Sequence, residues 1–309
     1  MKTYLNDKSD ISRKKKVIAL GSFDGIHIAH KILLSNAVII AKKKNIESMV
    51  YTFTNHPSQI LSDMKIELLS DNVEKTKLIE NENLDILFFQ DFDIAFSHIE
   101  PEVFIESILV NTFNADTVVA GYNYRFGAHG KGNTGLLKKV CERLDIEVVI
   151  VDKVEFEKEV VSSTNIRNYL KSGLIIQANN MLGRKYSLTG NIIHGNSLGS
   201  KLGFPTANMK IPENKVIPRS GVYHTVSMIN GISYRSVTNV GIKPTLHTKA
   251  FNGISIETHL IDIGNVDLYG EIMKIEFIDR IRDERRFDDL NELTEAVMKD
   301  ISIVKNYKE

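Results

Sequence analysis

Two kinds of hydrophobic pattern alternate along the first half of the chain. Short runs that are apolar throughout predict strands over residues 17–20, 49–53, 86–89, 117–120 and 148–151. Longer segments, in which apolar residues recur every three or four positions, predict helices over residues 30–44, 72–82, 101–113 and 134–144. Strands that are apolar on both faces and are separated by helices are typical of a parallel sheet covered on both sides. The pattern therefore predicts an α/β domain.

The pattern changes after Gly173. Residues 174–183 predict a short closing helix, and the chain beyond them is rich in predicted strands, over 187–194, 221–229, 232–240, 254–261 and 272–278. Asn230-Gly231 is a strong signal for a type I′ hairpin between two of these strands. A single amphipathic helix is predicted over 289–305. Short antiparallel strands with one terminal helix indicate a small closed barrel. We therefore predict two domains, 1–183 and 184–309.

Composition narrows the function without naming it. The 309 residues hold 39 Lys+Arg and 39 Asp+Glu, so no general affinity for nucleic acid is indicated. Cys141 is the single cysteine and is read as a small core residue, and no CxxC or HExxH pattern predicts zinc. The polar, basic start lacks the apolar core of a signal peptide, and no apolar run is long enough for a membrane span. We expect a soluble cytoplasmic protein.

Candidate chemistry in the first half lies directly after predicted strands, where parallel sheets bind ligands. GSFDGIHIAH (21–30), TNHP (54–57) and GYNYRFGAHGKGN (121–133) follow three of them, and VSSTNIRNYLKSG (161–173) comes later. His27 and His30 share a face if a helix begins near His27, and a helix N-terminus with imidazoles suits phosphate. Arg167 on the first turn of the later helix suits phosphate as well. Each feature taken singly also fits an ordinary core residue, cap or loop.

Candidate chemistry in the second half is concentrated in HGNSLGSKLGFPTAN (194–208). Gly195, Gly199 and Gly203 are spaced four apart and suit a loop folded over phosphates. Oxygen atoms of Thr206 and Asn208 suit Mg²⁺. A turn-rich barrel corner explains the same composition about equally well, and no P-loop pattern is present.

The motifs resemble a known family. GSFDGIHIAH resembles the GxFDGxHxGH signature of cytidylyltransferase-like nucleotidyltransferases, and SSTNIR resembles their second phosphate-binding motif. TFTNHP and GYNYRFG narrow the likeness to the adenylyltransferase module of prokaryotic bifunctional riboflavin kinase/FAD synthetases. Residues 194–208 resemble the flavokinase signature GxxxGRxLGFPTAN, with support from GVY, NVGIKPT, IETHLID, DLYG and RDERRF. This chain departs from the pattern at four positions, namely Ala29 for Gly, Asn123 for Asp, Ser200 for Arg and Lys243 for Arg.

The resemblance implies a Rossmann-like nucleotidyltransferase domain followed by a flavokinase barrel. It implies that ATP phosphorylates riboflavin to FMN, and that a second ATP then adenylylates FMN, giving FAD and pyrophosphate. Mg²⁺ would accompany ATP, and flavins would be substrates and products rather than permanent groups. The implied catalytic residues are His27, His30, Arg167 and Glu257, and the implied metal-binding residues are Thr206 and Asn208. The implied substrate-binding and nucleotide-binding residues are Gly21, Phe23, Asp24, Asn123, Arg125, Ser163, Thr164, Gly195, Gly199, Lys201, Gly203, Tyr223, Arg282 and Glu284.

Three alternatives stay open at this point. Because Ala29 replaces a signature glycine, the chain could be a riboflavin kinase with an impaired nucleotidyltransferase domain. The first half could instead transfer a nucleotide to another phosphate, or could be a flavin-sensing or scaffold module beside a working kinase. The expected partners are small molecules only, without nucleic acid or membrane, and the sequence does not give the oligomeric state.

Overall fold

The computed structural model describes residues 1–61, 66–195, 199, 202–242, 253–264 and 266–307. Within it the chain forms two compact units, Met1–Ser163 and Thr164–Glu309. The division falls one residue into a helix, and each unit is described by itself below.

The first unit is built on a six-stranded sheet with the order β1-β4-β3-β2-β5-β6, and every neighbouring pair is parallel. The strands are β1 (Lys2–Leu5), β2 (Lys16–Leu20), β3 (Glu47–Phe53), β4 (Ile86–Gln90), β5 (Ala115–Gly121) and β6 (Glu147–Val151). The helices are α1 (Ile28–Lys44), α2 (Pro57–Leu61), α3 (Asn72–Glu80), α4 (Ile94–Ser97), α5 (Pro101–Val103), a π-helix (Phe104–Thr112) and α6 (Thr134–Arg143). A small hairpin, β7 (Glu155–Phe156) and β8 (Glu159–Val160), follows.

Alternate residues of each central strand feed two separate cores, because successive side chains of a strand point to opposite faces. On one face, Val17 and Ala19 of β2 pack with Leu34 and Ala37 of α1 and Ile79 of α3. On the other face, a second cluster joins β2 to the π-helix and α6, and its members include Ile18, Leu20, Phe104, Leu109, Leu137 and Cys141. The sheet is therefore covered on both sides, as the double-sided apolar runs predict.

The second unit is a closed antiparallel barrel with the strand order β10-β13-β12-β11-β14-β9. Its strands are β9 (Tyr186–Ile193), β10 (Thr206–Met209), β11 (Gly221–Ile229), β12 (Ile232–Ile242), β13 (Ile254–Leu260) and β14 (Ile272–Arg282). Its helices are α7 (Ser163–Ser172, of which Ser163 belongs to the first unit), α8 (Ile175–Leu182) and α9 (Leu290–Asn306). Asn179 of α8 ties this helix to the barrel, since its side chain donates to the Phe277 carbonyl and accepts from the Tyr186 N–H.

The barrel interior contains a connected set of buried hydroxyl side chains. A chain of five buried hydroxyls runs between neighbouring strands with O···O distances of 2.7–2.9 Å, joining Ser227, Ser236, Thr225, Thr238 and Thr258. Each hydroxyl both donates and accepts readily, so such a chain leaves no buried oxygen without a partner. We call these five residues the hydroxyl ladder.

The fold class predicted from the sequence is confirmed: a parallel Rossmann-like sheet, then a barrel, then a terminal helix. The Asn230-Gly231 hairpin is confirmed as well, with both φ angles positive at 50° and 79°. Four strands were not predicted, namely β1, the two-residue strands β7 and β8, and β10. The strand β1 is a short polar edge strand, and β10 has only four residues, which the pattern leaves inside a glycine-rich loop.

Candidate active sites

The first site lies at the carboxyl edge of the parallel sheet, where β2 and β5 are neighbours although their chain connections run in opposite directions. Ligands of open α/β sheets bind at such a switch point. The turn that leaves β2 is strained, because Phe23 and Ile26 have positive φ angles of 49° and 39°, and Gly25 has one of 83°. A β-branched residue at positive φ is rare, so the surrounding structure must hold this turn in place.

Hydrogen bonds of Asp24 and Gly25 with other segments stabilise this turn. The Asp24 carboxylate accepts from the backbone N–H groups of Leu69 and Ser70 at 2.9–3.1 Å. The Ser70 hydroxyl accepts from the Gly25 N–H at 3.0 Å, and the Ser163 hydroxyl donates to the Asp24 carbonyl at 2.9 Å. Asp24 thus stabilises the turn in this unit, although the family resemblance implies a ligand-binding role for it.

The turn delivers two histidines in a fixed arrangement. His27 is the N-cap of α1, and its Nδ1 accepts from the backbone N–H of His30 at 3.3 Å. The two imidazoles stack with centroids 3.6 Å apart, and His30 meets the Phe23 ring edge-on. The predicted shared face of the two histidines is therefore confirmed. Ala29 lies between them in the first turn of α1.

Burial and neighbouring charges shift the pKa of His30. The pKa of His30 is held well below its usual range, first by burial, then by His27 and then by the Lys75 ammonium. Nδ1 of His30 is buried and has no hydrogen-bond partner among the described residues. Burial lowers the pKa of Lys75 to about 8, against an opposing effect of Asp24. The site therefore combines a His30 imidazole that favours its neutral form with the charge of Lys75.

The remaining residues predicted for the first site lie in several places. Gly21 follows β2 and packs on the Phe23 ring, so that a Cβ added there would lie 3.0 Å from the ring. Asn123 and Arg125 are exposed on the loop that follows β5, at the same sheet edge. Thr164 and Arg167 lie on α7 within the second unit.

The second site lies on the outer face of the barrel. Glu257 of β13 stands directly opposite Asn208 of β10 on one side and Asn239 of β12 on the other. Residues paired across antiparallel strands have neighbouring side chains on one face, so a carboxylate is flanked by two carboxamides. Thr206 follows on the same face of β10, opposite His259. The outward orientation of Glu257 thus places it among candidate ligand-binding groups rather than in open solvent.

Glycines of the preceding loop approach these side chains closely. A Cβ on Gly195 would lie 2.1 Å from Nδ2 of Asn208, and a Cβ on Gly199 would lie 2.4 Å from the Phe204 carbonyl oxygen. Gly203 has a φ of 86° with open space around it. Gly195 and Gly199 therefore lie where a side chain would not fit, and the predicted role of these glycines around phosphates stays a prediction. Lys201, Ser200 and Lys243 lie outside the described residues.

A cavity of about 300 Å³ covers the outward face of β10, β12 and β13. It is closed by Arg282 at the end of β14, by Glu284 and Phe287 of the segment that follows, and by Leu293, Val297 and Asp300 of α9. Arg282 holds the buried Asp300 carboxylate in a forked pair, with N–O distances of 2.8–3.1 Å, and its guanidinium lies 5.7 Å from the Phe287 ring centre. This wall is partly apolar and partly charged, which suits a flat heterocycle with a polar tail.

Tyr223 does not reach this cavity. Its side chain is fully buried in the barrel interior, where its hydroxyl donates to the Arg219 carbonyl and its ring meets Phe277 edge-on. Alternation along β11 explains this placement, because Tyr223 shares its face with Thr225 of the hydroxyl ladder. A contact of Tyr223 with substrate therefore finds no support in this geometry.

Asn239 and Asp300 line the same cavity but were not predicted from the sequence. Asn239 could have been assigned to the outward face by counting alternate residues along β12 from the Asn230-Gly231 hairpin. Asp300 gives no such signal, since an acidic residue on an amphipathic helix is usually exposed.

The donor set at the second site fits Mg²⁺. Thr206, Asn208 and Glu257 offer a hydroxyl, a carboxamide and a carboxylate oxygen on one face, and hard oxygen donors are what Mg²⁺ binds. Within the described part of the chain, no group of three or more His, Cys, Asp or Glu side chains could hold a metal ion. The ion would therefore share its ligands between these side chains and a bound phosphate chain.

Comparisons with known proteins agree with both halves. A family model described as FAD synthetase matches residues 9–165, and one described as riboflavin kinase matches residues 182–308. A bifunctional riboflavin kinase/FMN adenylyltransferase of Bacillus subtilis is 36% identical over 290 residues, covering 93% of this chain and 90% of the relative. The chain belongs to the family of bifunctional riboflavin kinase/FMN adenylyltransferases. A family member from Listeria monocytogenes is 34% identical, covering 92% of this chain and 90% of its own.

A solved structure is similar to this chain over almost its full length. The crystal structure described as a macrolide-efflux protein from Streptococcus pneumoniae superposes with a TM-score of 0.89 at 30% identity, covering 99% of each chain. In the described part of this chain, no helix is both long and apolar enough to cross a membrane. The family expectation and the presence of both enzymatic regions are confirmed, and nothing in the comparisons supports an impaired first domain.

Proposed function

We propose that the chain makes FMN at the outer-face cavity of the barrel and FAD at the carboxyl edge of the parallel sheet. The observation that supports this proposal is that each of the two matched regions brings together side chains suited to one of the two reactions. One site presents stacked imidazoles at a helix N-terminus, and the other presents a carboxylate between two carboxamides in a cavity of about 300 Å³. The substrates are riboflavin, FMN and ATP. The cytoplasmic location expected from the sequence stays a prediction.

At the barrel, the terminal ribityl hydroxyl of riboflavin attacks the γ-phosphorus of ATP. The hydroxyl proton passes to the Glu257 carboxylate as the new O–P bond forms, the bond to the β-phosphate oxygen breaks, and ADP leaves. Thr206 and Asn208 bind Mg²⁺, which neutralises phosphate charge when bound. The loop with Gly195, Gly199 and Gly203 folds over the phosphates, and Arg282 and Glu284 help to enclose the flavin.

At the sheet edge, a phosphate oxygen of FMN attacks the α-phosphorus of ATP. The bond between the α-phosphorus and the bridging oxygen breaks, pyrophosphate leaves, and no covalent enzyme intermediate is needed. His27 and His30 donate N–H groups to the charge that develops on the phosphate oxygens. Gly21 and Phe23 shape the nucleotide pocket beside them, and Asn123 and Arg125 contact the nucleotide or the flavin. Ser163, Thr164 and Arg167 bind the leaving pyrophosphate.

The decisive experiment incubates the purified full-length chain with riboflavin and MgATP and separates riboflavin, FMN and FAD over time. We expect FMN to appear first and FAD to follow. Accumulation of FMN without FAD would reject the adenylylation half of the proposal, and absence of both products would reject it entirely. A parallel reaction started from FMN tests the first site without the second.

A further inference from the structure

The wall of the barrel cavity contains a buried ion pair that the reaction as proposed does not explain. Asp300 lies on α9 with a side chain that is 4% exposed, and its carboxylate accepts three hydrogen bonds at 2.8–3.1 Å from Nε and Nη2 of Arg282. Both residues line the cavity. Well-packed apolar residues often stabilise a fold as much as a buried ion pair does. The pair therefore calls for a reason other than stability.

The pair fixes the orientation of the Arg282 guanidinium. Arg282 ends β14, and its Nη1 donates to the Asp283 carbonyl at 3.2 Å. A guanidinium is planar, so a forked carboxylate on one edge and a carbonyl on another leave it little freedom to rotate. Its flat faces are then presented in a fixed direction, and such faces pack well on aromatic rings.

Phe287 packs against this guanidinium. Its ring centre lies 5.7 Å from the guanidinium carbon of Arg282 and 4.7 Å from that of Arg285. A guanidinium within about 6 Å of a ring centre is attracted by the ring face. Arg285 also forms an ion pair with Glu292 in the first turn of α9, at 3.5 Å. The Phe287 ring is therefore held by two arginines, and each arginine is bound by an acidic residue of α9.

The two acidic residues are not equivalent. The side chains of Arg285 and Glu292 are 53% and 41% exposed, and ion pairs in solvent contribute little to stability. Asp300 is buried and binds its arginine in a fork. The position of the Phe287 ring therefore depends chiefly on Asp300.

A fixed aromatic ring suits the substrate of this cavity. Phe287 lines the cavity together with Leu293 and Val297 of α9, and Asn239 and Glu257 contribute polar groups. The ring system of riboflavin is flat and aromatic, and it can stack on a phenyl ring. A wall that is ordered before the substrate arrives lowers the entropic cost of binding. A contact with the flavin ring, far from the hydroxyl that reacts, should affect binding rather than the chemical step.

We propose that Asp300 is a positioning residue of the riboflavin kinase site, which through Arg282 holds the Phe287 ring where the flavin ring stacks on it. This inference rests on the proposed function of the barrel cavity. It extends that function by naming the aromatic residue that contacts the flavin and the carboxylate that fixes its position.

The test uses the full-length chain with two substitutions and a control. Asp300→Asn keeps the shape of the side chain but removes its charge, and Phe287→Leu removes the ring but leaves the ion pair. Asp262→Asn is the matched control, because Asp262 also binds α9, through Lys305 at 3.0 Å, and does not line the cavity. Phosphorylation with riboflavin or MgATP varied gives kcat and both KM values. Quenching of riboflavin fluorescence in the presence of MgADP gives its Kd.

In Asp300→Asn and in Phe287→Leu, we expect the KM and the Kd for riboflavin to rise about tenfold, the size of one lost aromatic contact, while kcat and the KM for MgATP change less than about twofold. Asp262→Asn should keep the wild-type constants. FMN-to-FAD conversion should persist in every variant, which shows that the first unit is folded.

Three results would overturn the inference. Phe287→Leu that binds riboflavin as tightly as the wild type would exclude the flavin contact, and this measurement holds even if Asp300→Asn does not fold. Asp300→Asn with the wild-type KM for riboflavin would exclude the positioning role. Asp300→Asn in which both KM values rise together would reduce Asp300 to general support of the barrel. Failure of the proposed function is recognised separately, because the wild type would then form no FMN, or Glu257→Gln would form it at the wild-type rate.

Discussion

The two sites obtain their geometry in different ways. At the sheet edge, a strained turn is held by buried hydrogen bonds of its own Asp24 and Gly25 with Leu69 and Ser70, and by a partly buried hydrogen bond from Lys75 to Ser22. On the barrel, Glu257, Asn208 and Asn239 are aligned by the pairing of regular strands. The first site therefore depends on a few tertiary hydrogen bonds, whereas the second depends on strand register. Loss of a single brace should damage the first site, while the second should respond to loss of a donor or to steric intrusion.

The largest expected effect concerns the stability of the second region when it is expressed without the first. A fragment of residues 164–309 keeps α8, whose Asn179, Met181 and Leu182 are buried. A fragment of residues 184–309 lacks that helix, and we expect it to lose about 3 kcal/mol or more of unfolding free energy, since each large apolar side chain contributes about 1.5–3 kcal/mol. Urea unfolding of both fragments measures the difference. Equal stability would favour a domain boundary at 183/184.

Removal of the proposed base comes next. Glu257→Gln keeps the shape of the side chain but cannot accept the ribityl proton, so riboflavin phosphorylation should fall roughly 10³-fold. FMN-to-FAD conversion should be unchanged. Glu276→Gln is the matched control, because Glu276 of β14 pairs with Lys274 and lies outside the cavity. A comparable loss in both variants would argue against a catalytic role for Glu257.

A change at the first site should give the converse result, namely loss of FAD formation with riboflavin phosphorylation retained. His27→Ala removes the N-cap contact and one donor, and FAD formation from FMN should fall roughly 10²-fold while riboflavin phosphorylation persists. His98→Ala serves as the control, because His98 makes a local contact at the end of α4, where its Nδ1 lies 2.6 Å from the Ile94 carbonyl oxygen. Parallel loss of both activities in His27→Ala would show that the two sites are not independent.

The buried cation predicts a dependence of stability on pH. The pKa of Lys75 is lower in the folded chain, about 8 against 10.5, so the unfolded chain binds more protons between these values. Wild-type stability should therefore rise relative to Lys75→Met between pH 8 and 10.5, by about 2 kcal/mol. Denaturant unfolding of both proteins at pH 7 and pH 10 measures the difference. A constant difference would place Lys75 in a more solvated setting.

The smallest effect concerns the close approach of loop and strand. Gly195→Ala would press a methyl group on Asn208, and we expect riboflavin phosphorylation to fall about tenfold through a raised KM for MgATP. Gly231→Ala is the contrasting change, because the space around Gly231 is open and its substitution strains only the hairpin turn. Lower kinase activity in Gly231→Ala alone would reverse our view of which glycine matters.

Sequence patterns predicted these two regions unequally. Double-sided apolar runs were sufficient for the central strands β2 to β6, and the histidine spacing predicted that His27 and His30 share a face. Lys75 was not found, because a lysine on a helix is normally exposed and its burial depends on the ends of β2 and β3. Tyr223 was expected at the substrate site through motif likeness, but the alternation along β11 turns it inward. What sequence could not supply was contact between segments distant in the chain.

The hydroxyl ladder has a consequence for the accuracy of assembly. Thr238 and Thr258 of the ladder are directly paired, and Asn239 and Glu257 are paired one position along on the same two strands. A slip by one residue would place Asn239 or Glu257 inside the barrel and leave hydroxyls unmatched there. A barrel with the wrong register would therefore be less stable than the native one, whether or not substrate is bound. The ladder therefore favours one strand register, and that register also sets the alignment of Glu257, the proposed base.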